Sequence, residues 1–268
     1  MKFREVLTSA VGDMILHGYD NQERLEYWTQ RLREVAQADL PSPKVLEQRM
    51  KRAMETIYKR VMSKTALKRR HPQVSLFTLK QIEPKLRPEL TKRILASTQL
   101  IKLNRQQAIE KTLQRFSGWA TSIPEGGSKV VERAEVKANI EKPLKQQKYE
   151  ERRLDIDQGH KLMASIDAVI AEQTDAIAGM WRSHWRQANY DYREDHKERD
   201  QKVYAIRGNW AMEKGLMNKG AGYLDEMTQA GEEPFCRCYV VYFQNLRDLP
   251  DDMLTAKGRK LLEETRIR

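Results

Sequence analysis

The sequence predicts an α+β protein in which a mainly helical N-terminal half is followed by a small α+β domain with a short sheet. Apolar residues recur at three- and four-residue spacing through about the first 120 positions, the period of an amphipathic helix. After residue 175 the pattern changes to short runs rich in β-branched and aromatic residues, which is typical of strands. The composition, 40% hydrophobic and 32% charged, excludes a disordered chain and provides a modest core.

The charge divides the chain at a similar place. Residues 1–150 hold 30 basic and 17 acidic side chains, whereas residues 151–268 hold 19 and 21. This asymmetry predicts two parts with different partners. We expect a basic helical region at 1–120, a linker and charged connector at 121–150, an α+β domain at 151–247 and a C-terminal tail at 248–268.

The helices of the first half follow from their apolar faces and end signals. Asn21 precedes the second predicted helix. Ser42-Pro43 is a helix start, with Ser42 as N-cap, and His71-Pro72 is a break. The predicted helices are, in order, Phe3–Leu16, Glu23–Ala38, Pro43–Val61, Pro88–Leu103 and Arg105–Trp119. Between the third and the fourth, Lys64–Arg70 continues the basic charge up to His71-Pro72. The Pro-Glu-Gly-Gly run within 121–128 predicts the clearest break in the chain.

The second half combines a long helix with short strands. An apolar stripe at Leu162, Ile166, Val169 and Ile170 predicts the helix. Strands are expected within 177–185, 203–206 and 236–243, a loop at 215–222, and a short terminal helix at Leu261–Ile267.

The basic charge concentrates in residues 51–115, which hold 17 basic and 4 acidic side chains. Such a segment attracts phosphate by charge neutralisation and counterion release, without reading sequence. The alternative is a solvated helical face. The candidate nucleic-acid-binding residues are Arg49, Lys51, Arg52, Lys59, Arg60, Lys64, Lys68, Arg69 and Arg70.

One set of residues has the composition of a metal site. His196 and Asp200 are four positions apart, as on one face of a helical turn, and Cys236 and Cys238 are two apart, as on one side of a strand. One His and two Cys are three of the four ligands of tetrahedral zinc, with Asp200 or His184 as the fourth. The alternative is two small apolar side chains packed in a strand beside a hydrogen-bonded histidine.

Several other classes of site are excluded. The chain has no P-loop, no H-E-x-x-H and no G-x-S-x-G motif. Its adjacent carboxylates, such as Glu194 and Asp195, lack a second acidic cluster that would complete a metal-nuclease site. No run of about 18 apolar residues predicts a membrane span, and the N-terminus lacks the apolar core of a signal peptide.

Four sequence pieces follow one another across residues 152–243. They are RRLDIDQGH at 152–160, MWRSHW at 180–185, R-x-x-H-x-x-x-D from Arg193 through His196 to Asp200, and C-R-C at 236–238. In this order they resemble the head morphogenesis domain of the phage Mu F-like minor head protein family. That family usually has Gly where this chain has Gln201 and commonly Asn where it has Phe235. A turn with positive φ is therefore less expected at Gln201.

The resemblance implies a minor structural protein of a tailed-phage virion. Such a protein lies inside the head near the portal, contacts the portal or major capsid protein and packaged DNA, and passes through the host cytoplasm during assembly. It has no enzymatic activity, no membrane partner in the assembled head, and no cofactor other than possible zinc. The alternatives from other classes are a zinc- or His-dependent hydrolase or nuclease acting on nucleic acid, and a host cytoplasmic DNA-binding protein.

Overall fold

A computed structural model describes residues 2–266 of the chain, and only the backbone of Arg266. Nine helices lie in that range: α1 Phe3–His17, α2 Gln22–Ala38, α3 Pro43–Val61, α4 Lys64–Arg70, α5 Leu76–Ala120, α6 Arg133–Gln173, α7 Glu194–Glu198, α8 Trp210–Glu213 and α9 Ala256–Arg266. The strands in the described range are β1 Ala178–Arg182, β2 Val203–Ala205 and β3 Tyr239–Phe243. The predicted fold class, helices followed by a small α+β part, is confirmed.

The first three helices begin and end within one residue of the predicted bounds, and α4 ends just before the predicted break at His71-Pro72. Asn21 Oδ1 accepts a hydrogen bond from the backbone N–H of Arg24 at 2.8 Å, which caps α2. Pro43 occupies the first position of α3, where its missing N–H costs no helical hydrogen bond. The side chain of Ser63 caps α4, and His71 follows the last residue of that helix.

The prediction of two helices at 88–103 and 105–119 is wrong. The segment is one continuous helix, α5, with Pro84 and Pro88 inside it. Ser75 starts the helix, because its Oγ accepts a hydrogen bond from the N–H of Thr78 at 3.0 Å. Each proline removes one helical hydrogen bond, yet apolar residues remain buried on both sides of the prolines. Their packing holds the helix together; these residues are Leu79, Ile82, Leu86 and Leu90.

The described chain divides into two compact units that the regions predicted from charge do not anticipate. Unit 1 comprises residues up to 50 together with 96–154, and unit 2 comprises 51–95 together with residues from 155 onward. The predicted connector 121–150 contains a loop and then the first part of α6. The core of unit 1 includes Leu7, Leu32, Phe116 and Ile140, which α1, α2, α5 and α6 contribute.

Unit 2 contains the sheet, whose strand order is β2-β1-β3 with both pairings antiparallel. Gly179 lies between Tyr204 on one side and Tyr242 on the other. The strands fall within the three predicted segments, but β3 begins only at Tyr239. The expectation that Cys236 and Cys238 lie on a strand is therefore wrong, because the chain turns here: the N–H of Cys236 donates to the carbonyl of Glu233 at 3.2 Å.

The C-terminal part of the described chain ends in a helix. The predicted terminal helix is present as α9 and begins at Ala256, earlier than expected. Ile267, the predicted last residue of that helix, lies outside the described residues.

Across residues 2–266, no helix combines the length and the hydropathy that crossing a bilayer requires.

Candidate metal centre and basic surface

Three predicted metal ligands converge in unit 2. His196 Nδ1 lies 3.5 Å from Cys238 Sγ and 3.7 Å from Cys236 Sγ. One ligand atom from each residue lies within 4.8 Å of the others. All three residues are about 1% exposed.

These separations match those of a metal ligand set. Zinc binds cysteine sulfur at about 2.3 Å and histidine nitrogen at about 2.0–2.1 Å, so tetrahedral angles place sulfur and nitrogen about 3.6 Å apart. The observed nitrogen–sulfur distances are 3.5 and 3.7 Å. The cluster can therefore hold a metal ion with little rearrangement.

The electrostatics of the two thiols favour a negative sulfur at this position. A hydrogen bond from the Cys238 thiol lowers the pKa of Cys236, against the effect of burial, which raises it. The backbone N–H of Gly231 also donates to Cys236 Sγ at 3.4 Å. The same shared proton, together with burial, raises the pKa of Cys238. A thiolate is the form of cysteine that binds a metal, and the site stabilises one.

A carboxylate lies near the second ring nitrogen of His196. Arg193, just before α7, binds Glu233 through Nε at 2.6 Å and the carbonyl oxygen of Pro234 at 3.0 Å. The same Glu233 carboxylate lies 3.5 Å from His196 Nε2. A carboxylate facing the second ring nitrogen is a common arrangement around a metal-binding histidine, because it orients the ring. The spacing of Arg193 and His196 in the sequence did not reveal Glu233, whose only signal is its position three residues before Cys236.

Asp200 is not part of the cluster, so its prediction as a metal ligand is not supported. Its two carboxylate oxygens accept hydrogen bonds from the backbone N–H of Ser183 at 2.9 Å and from Trp185 Nε1 at 3.0 Å. The expected shared helical face fails because α7 ends at Glu198, before Asp200. Through these two hydrogen bonds, Asp200 holds the segment 183–185, which follows β1.

His184, the other suggested fourth ligand, also lies outside the cluster. Its ring faces those of Tyr239 and His160, with centroid separations of 6.0 and 6.5 Å. The aromatic neighbour of His196 is Trp181, whose ring meets the imidazole edge-on at 5.4 Å. Trp181 is fully buried, so it closes one side of the candidate metal centre.

The two positions that depart from the family pattern both have left-handed backbone. Gln201 has φ of 66° and Phe235 has φ of 61°. The lower expectation of positive φ at Gln201 is therefore wrong. Gly and Asn are the residues that adopt this conformation most readily. At Phe235 the backbone N–H is held by Asp157 Oδ1 at 2.6 Å, which ties the 152–160 segment to the C-R-C turn.

Most of the predicted nucleic-acid-binding residues are exposed in unit 2. Within residues 51–80, nine side chains are basic and only Glu55 is acidic. The exposed predicted residues of this unit lie on α3 and α4 and are Lys51, Arg52, Lys59, Arg60, Lys64, Lys68 and Arg69. These seven residues are the basic surface. Arg69 also lies over the ring of Tyr239, 5.2 Å from its centroid.

Arg70 is not available for binding phosphate. It is 4% exposed, and its Nε donates to Asp167 Oδ2 at 2.6 Å. Its two terminal nitrogens donate to the carbonyl oxygens of Ala66 and Val61, each at 2.9 Å. We therefore leave Arg70 out of the basic surface.

Comparisons with protein families, with curated proteins and with solved structures found no match to this chain. The positions and chemistry of the residues are therefore the support for a function.

Arg49, the remaining predicted DNA-binding residue, belongs to unit 1 and is ion-paired there. The carboxylate of Glu151 is buried and binds Arg49 at 2.5 Å and Arg105 at 2.6 Å. Burial raises the pKa of Glu151, but the hydrogen bonds from Arg105 and Arg49 outweigh it, so the pKa lies below its ordinary value.

The substitution Glu151→Gln is expected to lower the free energy of unfolding by about 2 kcal/mol at neutral pH, because it removes charge-assisted hydrogen bonds from a buried arginine. A depressed pKa contributes stability above the unfolded-state pKa, and this contribution is lost as pH falls through the folded-state value. Urea denaturation from pH 7 to pH 3 should therefore show a smaller gap between variant and wild type in acid. Exposed Glu150→Gln is the control, and a gap that widens in acid would contradict the assignment.

Proposed function

We propose that this protein is a minor structural protein of a tailed-phage virion, located inside the head near the portal. The observation that supports this most is the convergence of the family-like motifs on one site. His196 meets Cys236 and Cys238. Arg193 binds Glu233 just before them, and Asp157 of the 152–160 segment accepts the backbone N–H of Phe235. Residues this far apart in the sequence form one structural unit, as expected if the motifs exist to build that unit.

In this proposal the metal centre is structural, and zinc is the metal. His196, Cys236 and Cys238 would hold it, and the bound ion would cross-link α7 to the turn before β3. Such a cross-link stabilises a small sheet that has a limited hydrophobic core. The α+β part then presents a rigid surface to the portal or major capsid protein.

The basic surface is the proposed contact with packaged double-stranded DNA. Its seven cations lie on two consecutive helices, α3 and α4, and they are exposed. Lysine and arginine side chains on exposed helices neutralise backbone phosphate and release counterions, which gives affinity without sequence readout. A protein with this role binds DNA of any sequence, so it needs no recognition helix in the major groove.

The virion location has a direct test. Purified particles of the phage that encodes this chain should contain the protein at a low copy number, measured by quantitative mass spectrometry against the portal protein. Particles emptied of DNA provide the comparison for contact with the genome. Absence of the protein from purified particles would contradict the proposal and would leave the host cytoplasmic DNA-binding protein as the alternative.

The DNA contact predicts a specific loss on neutralisation of the basic surface. Changing Lys51, Arg52, Lys59 and Arg60 to glutamine should weaken binding to a random-sequence duplex. The slope of log affinity against log salt should become shallower by about 0.9 for each phosphate contact that is lost. Fluorescence anisotropy at several salt concentrations measures both quantities.

A matched control removes the same charge elsewhere. Arg133, Lys142, Lys145 and Lys148 are exposed on α6, and changing these four to glutamine should leave the salt slope close to that of the wild type. Equal slopes for the two quadruple variants would contradict a localised DNA contact and would favour a general effect of net charge.

A hydrolase or nuclease is the second candidate, and one observation favours it. Three protein ligands leave one position of a tetrahedral zinc ion open, as in catalytic sites. Substrate must also reach that position, however, and the three ligands are each about 1% exposed. Zinc-loaded protein is therefore expected to leave linear and circular DNA uncut. Cleavage that His196→Ala abolishes would support the enzyme and contradict the structural role.

A further inference from the structure

A cavity of about 780 Å³ lies in unit 2, beside the candidate metal centre but separate from its ligands. Part of its wall is one face of α6, where Ala164, Ala168 and Ala171 follow one another at helical spacing. Alanine side chains extend only to Cβ, so this face leaves room that larger residues would fill. The space is within the volume range of small-ligand pockets.

Aromatic side chains form another part of the wall. Trp181, Tyr239 and Tyr242 come from β1 and β3, and Trp210 comes from α8. Arg199, Arg69 and Lys214 already lie over the rings of Trp181, Tyr239 and Trp210. What these aromatic side chains offer a ligand is therefore apolar surface. Trp181 also has a buried indole N–H that finds no acceptor within residues 2–266. A buried donor of this kind is costly unless a ligand or water accepts its hydrogen bond.

The charges around the cavity are predominantly negative. Glu172, Asp175 and Glu213 are exposed carboxylates that line the cavity. Asp167 also lies in the wall, but its carboxylate is already paired with Arg70. Arg207 lines it as well, but its guanidinium is already bound by Asp225 and Glu226. The cavity therefore combines aromatic surface, carboxylates and one unused hydrogen-bond donor.

We propose that this cavity binds a lysine or arginine side chain of a partner polypeptide. The cationic end pairs with the carboxylates, the aliphatic stem packs on the aromatic wall, and a peptide carbonyl oxygen of the partner accepts the Trp181 N–H. The site is distinct from the basic surface and takes a ligand of opposite charge. It does not depend on the virion role proposed above.

Blocked amino acids test the chemistry directly. N-acetyl-lysine methylamide and N-acetyl-arginine methylamide should change the tryptophan fluorescence of the full-length protein in a saturable way. N-acetyl-norleucine methylamide has the same kind of stem without the charge, and n-butylamine has the charge without the carbonyl. Both should bind at least tenfold more weakly than the lysine derivative. Norleucine binding as tight as lysine, or butylamine binding as tight as lysine, would overturn the proposal.

Variants locate the binding. Glu172→Gln combined with Glu213→Gln should weaken lysine-derivative binding at least tenfold, since both residues are exposed and both line the cavity. Glu263→Gln combined with Glu264→Gln, on α9, removes the same charge outside the cavity and should leave the affinity unchanged. Equal affinity of the two double variants would overturn the assignment, and retained DNA binding would show that the DNA contact is a separate property.

Discussion

Replacing Cys236 and Cys238 together by serine is expected to release one bound zinc ion per chain and to unfold the α+β part at a lower denaturant concentration. Serine is similar in size to cysteine, so little packing volume is lost. What is lost is the proposed metal cross-link between α7 and the turn before β3. Structural zinc contributes directly to folding, and we expect the free energy of unfolding to fall by at least about 3 kcal/mol.

Two measurements check this expectation. Elemental analysis of purified protein gives the zinc content, and urea denaturation followed by tryptophan fluorescence gives the stability. A chelator should destabilise the wild type to a similar degree and should have no further effect on the serine variant. A serine variant within about 0.5 kcal/mol of the wild type would contradict the metal centre.

Asp200 provides the matched control for this experiment. If the carboxylate only accepts hydrogen bonds from Ser183 and Trp185, as its geometry indicates, Asp200→Asn should keep the zinc. Zinc loss from this variant would favour the sequence-based prediction that Asp200 is a ligand. The two variants together therefore separate a ligand from a residue that shapes the adjoining segment.

Local signals explain why much of the fold could be predicted. Ser42 and Pro43 mark the start of α3 through contacts within three or four residues, so this start can be recognised in the sequence alone. The prediction that a helix starts at Pro88 is wrong because the deciding interactions are not local. Proline is a common first residue of a helix, but here burial of the residues around Pro88 maintains a helix that started at Leu76. Such packing depends on distant residues, which sequence periodicity does not identify.

The candidate site shows the same limit. The pairing of His196 with Cys236 and Cys238 could be predicted because few residue types make such a ligand set. The role of Asp200 could not, because it depends on where a five-residue helix ends. Arg70 was indistinguishable from Arg69 within a run of cations. In the folded chain Arg70 points inward and binds the carboxylate of Asp167, 97 positions away in the sequence.

The buried carboxylate of Asp167 predicts a large loss of stability when this residue is changed. Asp167 is 2% exposed and accepts hydrogen bonds from Arg70 Nε at 2.6 Å and from His71 Nε2 at 3.1 Å. Asp167→Ala leaves the buried guanidinium of Arg70 without its counter-charge. Removing one partner of a buried ion pair costs about 3–5 kcal/mol. Urea denaturation at neutral pH should show a loss in this range.

The double variant Arg70→Met with Asp167→Leu distinguishes the cost of an unpaired charge from the value of the pair itself. Apolar residues of similar volume often replace a buried ion pair with little loss, because neither charge then needs to be desolvated. We therefore expect the double variant to be more stable than Asp167→Ala and closer to the wild type. Arg69→Met, on the exposed neighbour, should change stability by less than about 0.5 kcal/mol. If Asp167→Ala costs less than about 1 kcal/mol, Arg70 has found another partner or reached solvent, and its exclusion from the basic surface fails with it.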